Sequence, residues 1–436
     1  MNSKKDIEQK KINVAVLGAT GVVGQVFLHL LAHHPWFELS LISGSVSRNG
    51  KTYGDEVQWV LPVPMPETVE NMKLEALHVD MLKNRGIKII FSALPADVAK
   101  TVEPELRENH FYVFSNASAL RYETDVPILI PEVNPQALQC IEEQGFPGKG
   151  FVVTNANCST TGLAAALGPL RKFWIKEVFV STYQSVSGAG YPGLSALDIM
   201  GNAIPYIPGE EDKMNRELKK ILQLEADIYA HCVRIPVLFG HLETVWLRFE
   251  DPVETDDILA AWQTHEFKLP RGARTPYAAQ TVCEDFHSSP DDGACARLPQ
   301  NENSYITKLP RGARTLYAAQ TVCEDFHSFP GDGAYARLPQ NENSYITKLN
   351  GPSLPTLPRQ PVVYTDHEFF PQPKMSFWGF PSGMQVFTGR LRKEGDKIGF
   401  TLLVNNLVKG AAGGSVANAE LFIHTYEHFL KTGERQ

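Results

Sequence analysis

Long apolar runs are missing from this chain, and with them any helix of the roughly 20 apolar residues needed to cross a bilayer. Paired cysteines are missing too. Six cysteines in 436 residues include no CxxC pair, so neither a disulfide framework nor a zinc site is expected. Basic runs are short, and 41 Lys and Arg against 49 Asp and Glu give a net charge of −8. That balance argues against nucleic acid or a membrane surface as partner. The opening MNSKKDIEQKK lacks the apolar middle of a secretory signal, and residues 1–10 read as a disordered, solvated tail. These absences leave a cytoplasmic protein with reduced thiols and a small-molecule partner as the expectation. What is present, 43% hydrophobic residues, fills the cores of two or three domains.

The apolar runs INVAVL (12–17), FELSLIS (37–43), IKIIFSAL (87–94), FYVFSN (111–116) and GFVVTN (150–155) read as strands, with helical stretches such as ADVAKTVEPELREN between several of them. Alternating strand and helix predicts an α/β fold with a doubly wound parallel sheet. Farther on, EVFVSTYQSVSGAG, HCVRIPVLFG and HLETVWLRFE read as strands, and EDKMNRELKKILQL as a helix. In HLETVWLRFE, Val245, Leu247 and Phe249 alternate with Thr244, Trp246, Arg248 and Glu250, the pattern of a sheet with one dry face. The stretch GAAGGSVANAELFIHTYEHFL reads as a glycine-rich turn feeding an amphipathic helix. Residues 268–307 and 308–347 are one segment written twice, differing at Pro276/Leu316, Ser289/Phe329, Asp291/Gly331 and Cys295/Tyr335. Two polar copies are too few for a solenoid, and they read as a tandem duplication in a weakly ordered surface loop. An inserted subdomain or partner-binding element is the alternative.

GATGVVG, Gly18–Gly24, ends the first strand and opens the first helix. Its glycines allow a tight turn, and the backbone N–H groups of Thr20, Gly21, Val22 and Val23 face where a pyrophosphate binds at a helix N-terminus. After the second strand an NAD site places an acid for the ribose hydroxyls. Here Ser45, Ser47, Arg48 and Lys51 stand instead, which suits the 2′-phosphate of NADP. Cys158, in TNANCSTT, sits where a strand hands over to a helix, with Ser159 or Thr160 available to cap. The helix N-terminus favours its thiolate, and Asn157 with the Cys158 backbone N–H makes a candidate oxyanion site. A lone cysteine elsewhere is more often a packing residue. His241 lies seven residues after Arg234. On one regular strand that odd spacing separates them onto opposite faces unless Phe239–Gly240 forms a turn or bulge. On that spacing alone His241 reads as a structural histidine.

Seven motifs occur in order: GATGVVGQ, SNASALRYETDVPILIPEVN, NANCSTTGL, QSVSGAGYPG, IPYIPGEEDKM, RIPVLFGH and NNLVKGAAGG. Together they resemble the aspartate-semialdehyde dehydrogenases of the archaeal and fungal type, through most of residues 11–265 and 350–430. The resemblance implies a Rossmann-type NADP domain over 11–157, completed by a C-terminal helix at 409–436. An α+β catalytic and dimerisation domain follows at 158–408, interrupted by the insertion at 268–347. It implies Cys158 as the nucleophile, His241 as the general acid–base and Arg234 as the clamp on the substrate carboxylate. Gln184 and Glu210 would contact the substrate, with Glu210 on its ammonium, and Arg121 and Lys213 would bind phosphate. Ser187, Gly188 and Asn406 would hold the nicotinamide half of NADP. Without the resemblance, Arg121, Glu210 and Lys213 read as solvated charges.

The activity implied is NADPH-dependent reduction of L-4-aspartyl phosphate to aspartate semialdehyde, in lysine, threonine and methionine biosynthesis, by a homodimer or homotetramer. The family pattern has an arginine where Ser47 stands, one place before Arg48, and Asn405 also departs from many relatives. Malonyl-CoA reductase, which shares most of these motifs, is the nearest rival. N-acetyl-glutamyl-phosphate reductase is disfavoured by the EEDKM and RIPVLFGH context. A cysteine amidohydrolase leaves the glycine-rich turn without a role, and a non-catalytic scaffold is the reading from another class. No catalytic position falls inside the insertion, which is expected to leave the active site intact.

Overall fold

Ile12–Leu17 is apolar on both faces because both faces of its sheet are covered, and it forms the first strand, β1. In the computed structural model, residues 11–266, 354–426 and 430 are described. The tail 1–10, the duplicated segment 268–347, and residues 427–429 and 431–436 of the expected C-terminal helix lie outside the described residues. The chain divides into two compact units. One comprises Met1–Val57, Met65–Ala273 and Leu354–Gln436, and the other Gln58–Pro64 and Arg274–Ser353. Of the second unit only 58–64 is described, where Trp59 Nε1 donates to the Val63 carbonyl at 2.7 Å.

The first unit contains two six-stranded sheets. With β1 run β2 (Phe37–Ser43), β3 (Leu74–Glu75), β4 (Ile89–Ser92), β5 (Tyr112–Ser115) and β6 (Phe151–Thr154), in the order β3-β2-β1-β4-β5-β6, every pair parallel. Helices α1 (Val22–Leu31) and α2 (Ala96–Glu108) connect strands of this sheet. Its register aligns Leu17 with Ser92, Ser92 with Ser115, and Ser115 with Thr154. The carboxyl ends of four strands therefore finish level. The order reverses between β2 and β4 around β1, and that is where an open α/β sheet leaves its crevice.

The second sheet comprises β7 (Ile175–Gln184), β8 (Asp227–Arg234), β9 (His241–Phe249), β10 (Val362–Thr365), β11 (Val386–Glu394) and β12 (Lys397–Val404), in the order β10-β11-β12-β9-β7-β8. It is mixed: β7·β8 and β10·β11 are parallel, the other pairs antiparallel. Helices α3 (Cys158–Leu167), α4 (Glu210–Leu222) and α5 (Thr255–Thr264) contribute apolar residues to the same core as Val178, Val180, Val245, Leu247 and Phe249. Trp262 on α5 donates its indole N–H to the Ala166 carbonyl of α3 at 2.9 Å, so burial leaves no orphaned donor there. The predicted alternation of β9 holds. Its core face runs His241, Glu243, Val245, Leu247, Phe249, which sets His241 at one end of a dry stripe. After β12 the chain forms a π-helical turn, Val408–Ala412, and a final helix α6 (Gly413–Thr425). Phe422 of α6 packs on Phe151 and Tyr112 at centroid distances of 4.8 and 5.2 Å, returning the chain to the first sheet.

The stretch HCVRIPVLFG is not one strand. β8 ends at Arg234, one more pairing bond follows from Ile235 N–H to the Gln184 carbonyl at 3.0 Å, and Pro236 has no N–H to continue. Residues 235–240 then carry the chain past the end of β7, because β9 lies on the other side of β7 from β8. The odd spacing of Arg234 and His241 therefore separates no faces. Each is the buried end residue of its own strand, and the register sets Gln184 against Arg234 and His241 against Val404.

Candidate active site

Cys158 lies just past one of the level strand ends. The apolar run of β6 stops at Thr154, and α3 starts at Cys158 with Asn157 as its cap. Asn157 Oδ1 accepts from the backbone N–H of Ser159 and Thr160 at 3.0 and 3.2 Å, satisfying two of the orphan donors of a helix start. The cap is thus Asn157 rather than Ser159 or Thr160. Its short side chain folds back where a hydroxyl two or three residues later is already inside the helix. The π-helical turn presses against the same point. A Cβ on Gly410 would lie 2.8 Å from the Cys158 Cβ and 2.9 Å from its Cα, so only glycine allows this approach.

Cys158 Sγ stands 3.1 Å from His241 Nε2. The Ser185 backbone N–H points at His241 Nδ1 from 3.1 Å, and the Ser185 hydroxyl lies 3.2 Å from the same nitrogen. Burial pushes the Cys158 thiol up from 9.0 to about 12, the Glu210 carboxylate adding to the rise and the Arg234 guanidinium opposing it. Burial, and then Arg234, draws His241 down from 6.5 to about 3. Burial thus works against the thiolate bias expected of the helix N-terminus. A helix terminus supplies at most about 2 kcal/mol, near 1.5 pK units, which is less than the desolvation of the sulfur. Burial therefore favours a neutral thiol beside a neutral imidazole in the free protein. Alkylation of Cys158 by iodoacetamide is expected to accelerate about tenfold per pH unit between about pH 7 and 10, because a raised thiol pKa leaves the thiolate fraction climbing throughout. A plateau near neutrality, read by mass spectrometry of the Cys158 peptide, overturns this.

Around the pair stand charges that composition alone assigns to solvent. Glu210, the first residue of α4, is buried. Its Oε1 accepts from Lys213 Nζ at 2.8 Å, and its Oε2 from Asn157 Nδ2 at 2.7 Å and Gln184 Nε2 at 3.4 Å. Burial works to raise its pKa, but those bonds outweigh it and hold the carboxyl below its ordinary value. Arg234, also buried, donates Nη1 to the Ser185 carbonyl at 2.7 Å. One of the two Asn157 Nδ2 hydrogens is thus committed to Glu210, so the expected oxyanion role falls to the other. Arg121 is buried, with Nη1 on Glu217 Oε1 at 3.0 Å, Nη2 on the Asn116 carbonyl at 3.0 Å, and Nε unpartnered among the described residues.

Glu217 also receives the Asn157 backbone N–H at 2.5 Å, so one carboxylate ties the start of α3 to Arg121. Sequence reasoning missed it. Its signal was helical spacing, since Glu210, Lys213 and Glu217 share one face of α4 at i, i+3 and i+7. Ser185 was also missed, and within QSVSGAG nothing sets it apart from Ser187.

A cavity of ≈ 260 Å³ brings Cys158, Asn157, Arg121 and Lys213 together with Val22 and Val23 at the start of α1, and with Ser187, Gly188 and Asn406. The nucleotide turn is preformed. Gly18 has φ +72°, and a Cβ there would lie 2.4 Å from the Ala93 carbonyl oxygen. The loop after β2 flanks this turn, with Tyr53 donating its hydroxyl to the Ala19 carbonyl at 2.8 Å. In that loop Ser45 and Ser47 join hydroxyls at 3.0 Å, and Lys51 pairs with Glu56 at 2.9 Å. Arg48 makes no ion pair among the described residues. Asn406 is more committed than expected. Its Oδ1 accepts from Gly240 N–H at 2.9 Å and Ser185 Oγ at 3.2 Å, and its Nδ2 donates to Ser187 Oγ at 2.9 Å.

Two family models match the chain: semialdehyde dehydrogenase, NAD binding domain, over residues 13–141, and semialdehyde dehydrogenase, dimerisation domain, over 167–286. The chain is 35% identical to an aspartate-semialdehyde dehydrogenase of Archaeoglobus fulgidus over 428 residues, covering 95% of this chain and 98% of that protein. It is 30% identical to a malonyl CoA reductase (NADP) of Metallosphaera sedula, with 95% and 98% covered. Among solved structures, the aspartate semialdehyde dehydrogenase of Candida albicans with NADP superposes with a TM-score of 0.68 at 27% identity, covering 95% of this chain and 99% of that one.

Proposed function

The chain belongs to the aspartate-semialdehyde dehydrogenase family, and on that premise we propose that it reduces L-4-aspartyl phosphate to L-aspartate 4-semialdehyde and phosphate, with NADPH, through a thioester on Cys158. The observation that carries this is the 3.1 Å approach of Cys158 Sγ to His241 Nε2, with Cys158 lining a cavity that also receives the start of the nucleotide helix.

His241 takes the thiol proton as Sγ attacks the acyl carbon, and the carbon–oxygen bond to phosphate breaks. The departing phosphate meets Arg121, whose buried Nε is unpartnered among the described residues, and Lys213. Splitting the reduction at a thioester replaces one difficult step by two easier ones. NADPH, held by Gly18–Gly24, Ser187 and Gly188, with its 2′-phosphate on Arg48, Ser45 and Ser47, supplies the hydride that reduces the thioester. His241 then protonates the resulting oxyanion, and shuttles that proton to Sγ as the thiohemiacetal collapses to the aldehyde. The second Asn157 Nδ2 hydrogen and the Cys158 backbone N–H steady the oxyanion. Lys51, already paired with Glu56, contributes less to the 2′-phosphate than Arg48. Asn406 acts on the nicotinamide side through Ser187, which its amide holds.

Specificity for the aspartyl group rests on Arg234 and Glu210. The planar guanidinium suits the α-carboxylate, and the ionised Glu210, beside Gln184, suits the ammonium. A malonyl-CoA substrate has no ammonium to meet the ionised Glu210, so aspartyl phosphate is the better fit. The matched dimerisation domain is consistent with a homo-oligomer, and we take the unit to be a homodimer or homotetramer working in the cytoplasm. No described helix is long and apolar enough to cross a membrane.

The test is reduction of NADP and of NAD by the purified chain given aspartate semialdehyde, with and without phosphate, beside NADPH oxidation with malonyl-CoA. The expected result is turnover that needs phosphate and prefers NADP. Turnover of malonyl-CoA without that of aspartate semialdehyde overturns the substrate assignment.

A further inference from the structure

A histidine that works as a base at Nε2 must hold its neutral-state proton on Nδ1, and a buried Nδ1–H requires an acceptor. Among the described residues the hydrogen bonds at His241 Nδ1 come from Ser185, through two groups of opposite character, while the Gly240 backbone adds a smaller influence that favours a protonated ring. The backbone N–H, at 3.1 Å, can only donate, and so favours the tautomer with Nδ1 bare and the proton on Nε2, facing Cys158. The hydroxyl oxygen, at 3.2 Å, can accept.

Its own proton has a destination as well, for Ser185 Oγ donates to Asn406 Oδ1 at 3.2 Å. The orientation of that amide is fixed because Gly240 N–H, a donor only, reaches Oδ1 at 2.9 Å, while Nδ2 donates to Ser187 Oγ at 2.9 Å. Ser185 is fully buried, so no solvent competes for these bonds. The other charged groups acting on the imidazole are Arg234 and Glu210. Neither hydrogen-bonds Nδ1: Arg234 Nη1 is on the Ser185 carbonyl, and Glu210 is on Lys213, Asn157 and Gln184.

We propose that Ser185 is a positioning residue that selects the tautomer of His241, its hydroxyl, braced by Asn406, accepting Nδ1–H so that Nε2 can take the Cys158 proton. The inference rests on the thioester chemistry above. Through one cycle the proton leaves Sγ for Nε2, passes to the oxyanion and returns to Sγ, while the other proton stays on Nδ1, hydrogen-bonded to Ser185 Oγ. When the backbone N–H claims Nδ1 instead, Nε2 carries a proton and the base is off. The two distances differ by 0.1 Å, so the exchange needs no side-chain travel.

The experiment compares wild type, Ser185→Ala and Ser185→Thr in steady-state kinetics with aspartate semialdehyde, phosphate and NADP, and measures iodoacetamide alkylation of Cys158 at about pH 10 in each. The alanine variant keeps the backbone N–H and loses only the acceptor. Its kcat is expected to fall about 100-fold, with all three KM values within about threefold of wild type and alkylation unchanged, since hydroxide then removes the thiol proton. The threonine variant, which keeps the hydroxyl, is expected to recover most of that loss. A kcat within threefold of wild type in Ser185→Ala overturns the proposal. So does a loss shared equally by kcat, the three KM values and alkylation, which marks a packing role. An inactive wild type would instead sink the functional reading, so the two failures are distinguishable.

Discussion

Cys158→Ala is expected to abolish turnover, lowering kcat by about 10⁴-fold or more, the scale seen when a catalytic nucleophile is removed. The size of the effect follows from the absence of a substitute. Of the three described cysteines, only Cys158 lines the cavity. Cys232 is fully buried, with its thiol 3.6 Å from Met214 Sδ, and Cys140 lies in the segment Pro135–Glu142. Hydroxide from solvent is a poor replacement, because the thioester is what presents the acyl carbon for reduction. The fold should not notice the change. The start of α3 is held by Asn157, through its side-chain cap and its backbone N–H on Glu217, and neither involves the thiol. NADP affinity, read by fluorescence titration, is expected to stay within a factor of about three, separating loss of chemistry from loss of structure. Residual turnover above about 1% of wild type in Cys158→Ala would mean that reduction proceeds without a covalent step, and the thioester mechanism would fall.

That prediction rests on features of unequal legibility in the sequence. The nucleotide turn was readable because its signals are local: an apolar strand, glycines at fixed offsets and a helical repeat. Cys158 was readable for the same reason, its chemistry being tied to a strand end and a helix start. Its cap and its ionisation were not. Which oxygen caps depends on backbone direction over two residues, and the thiol pKa depends on how much protein packs over it. Arg121 and Glu210 look like solvated charges in sequence, yet both are buried, because partners arrive from other elements, Glu217 of α4 for Arg121 and Asn157 of the loop before α3 for Glu210, which Lys213 also meets one turn along α4. Arg234 and His241 mislead most. A seven-residue spacing carries meaning along one strand, and here it spans the end of β7 between two strands that do not pair. The family resemblance supplied that pair where periodicity failed.

Lys409→Met is expected to destabilise the protein by about 3–5 kcal/mol, the usual consequence of stranding one member of a buried ion pair. Lys409 is 1% exposed and pairs with Glu132, whose side chain is fully buried and has no hydrogen-bond partner among the described residues. Removing the ammonium leaves a carboxylate in low dielectric, with only the nearby His265 to offset its lost hydration. Glu132→Leu strands the ammonium and should cost a similar amount. The double variant, Glu132→Leu with Lys409→Met, removes both charges in similar volume and is expected to recover most of the loss, because replacing a buried pair by apolar groups is often near neutral. Urea denaturation of the four proteins measures the cycle through the shift in midpoint at constant slope. Additive losses in the double variant would show that the two side chains act independently, and the pair would not be what holds the segment. The position of that segment gives the pair a second consequence. Lys409 belongs to the π-helical turn Val408–Ala412, and Gly410 in the same turn packs against the Cys158 backbone. The single variant should therefore lose turnover at temperatures where it is still folded, while the double variant, with the turn repacked on apolar contacts, regains both. A Lys409→Met protein that loses stability but keeps full kcat would separate the turn from the nucleophile.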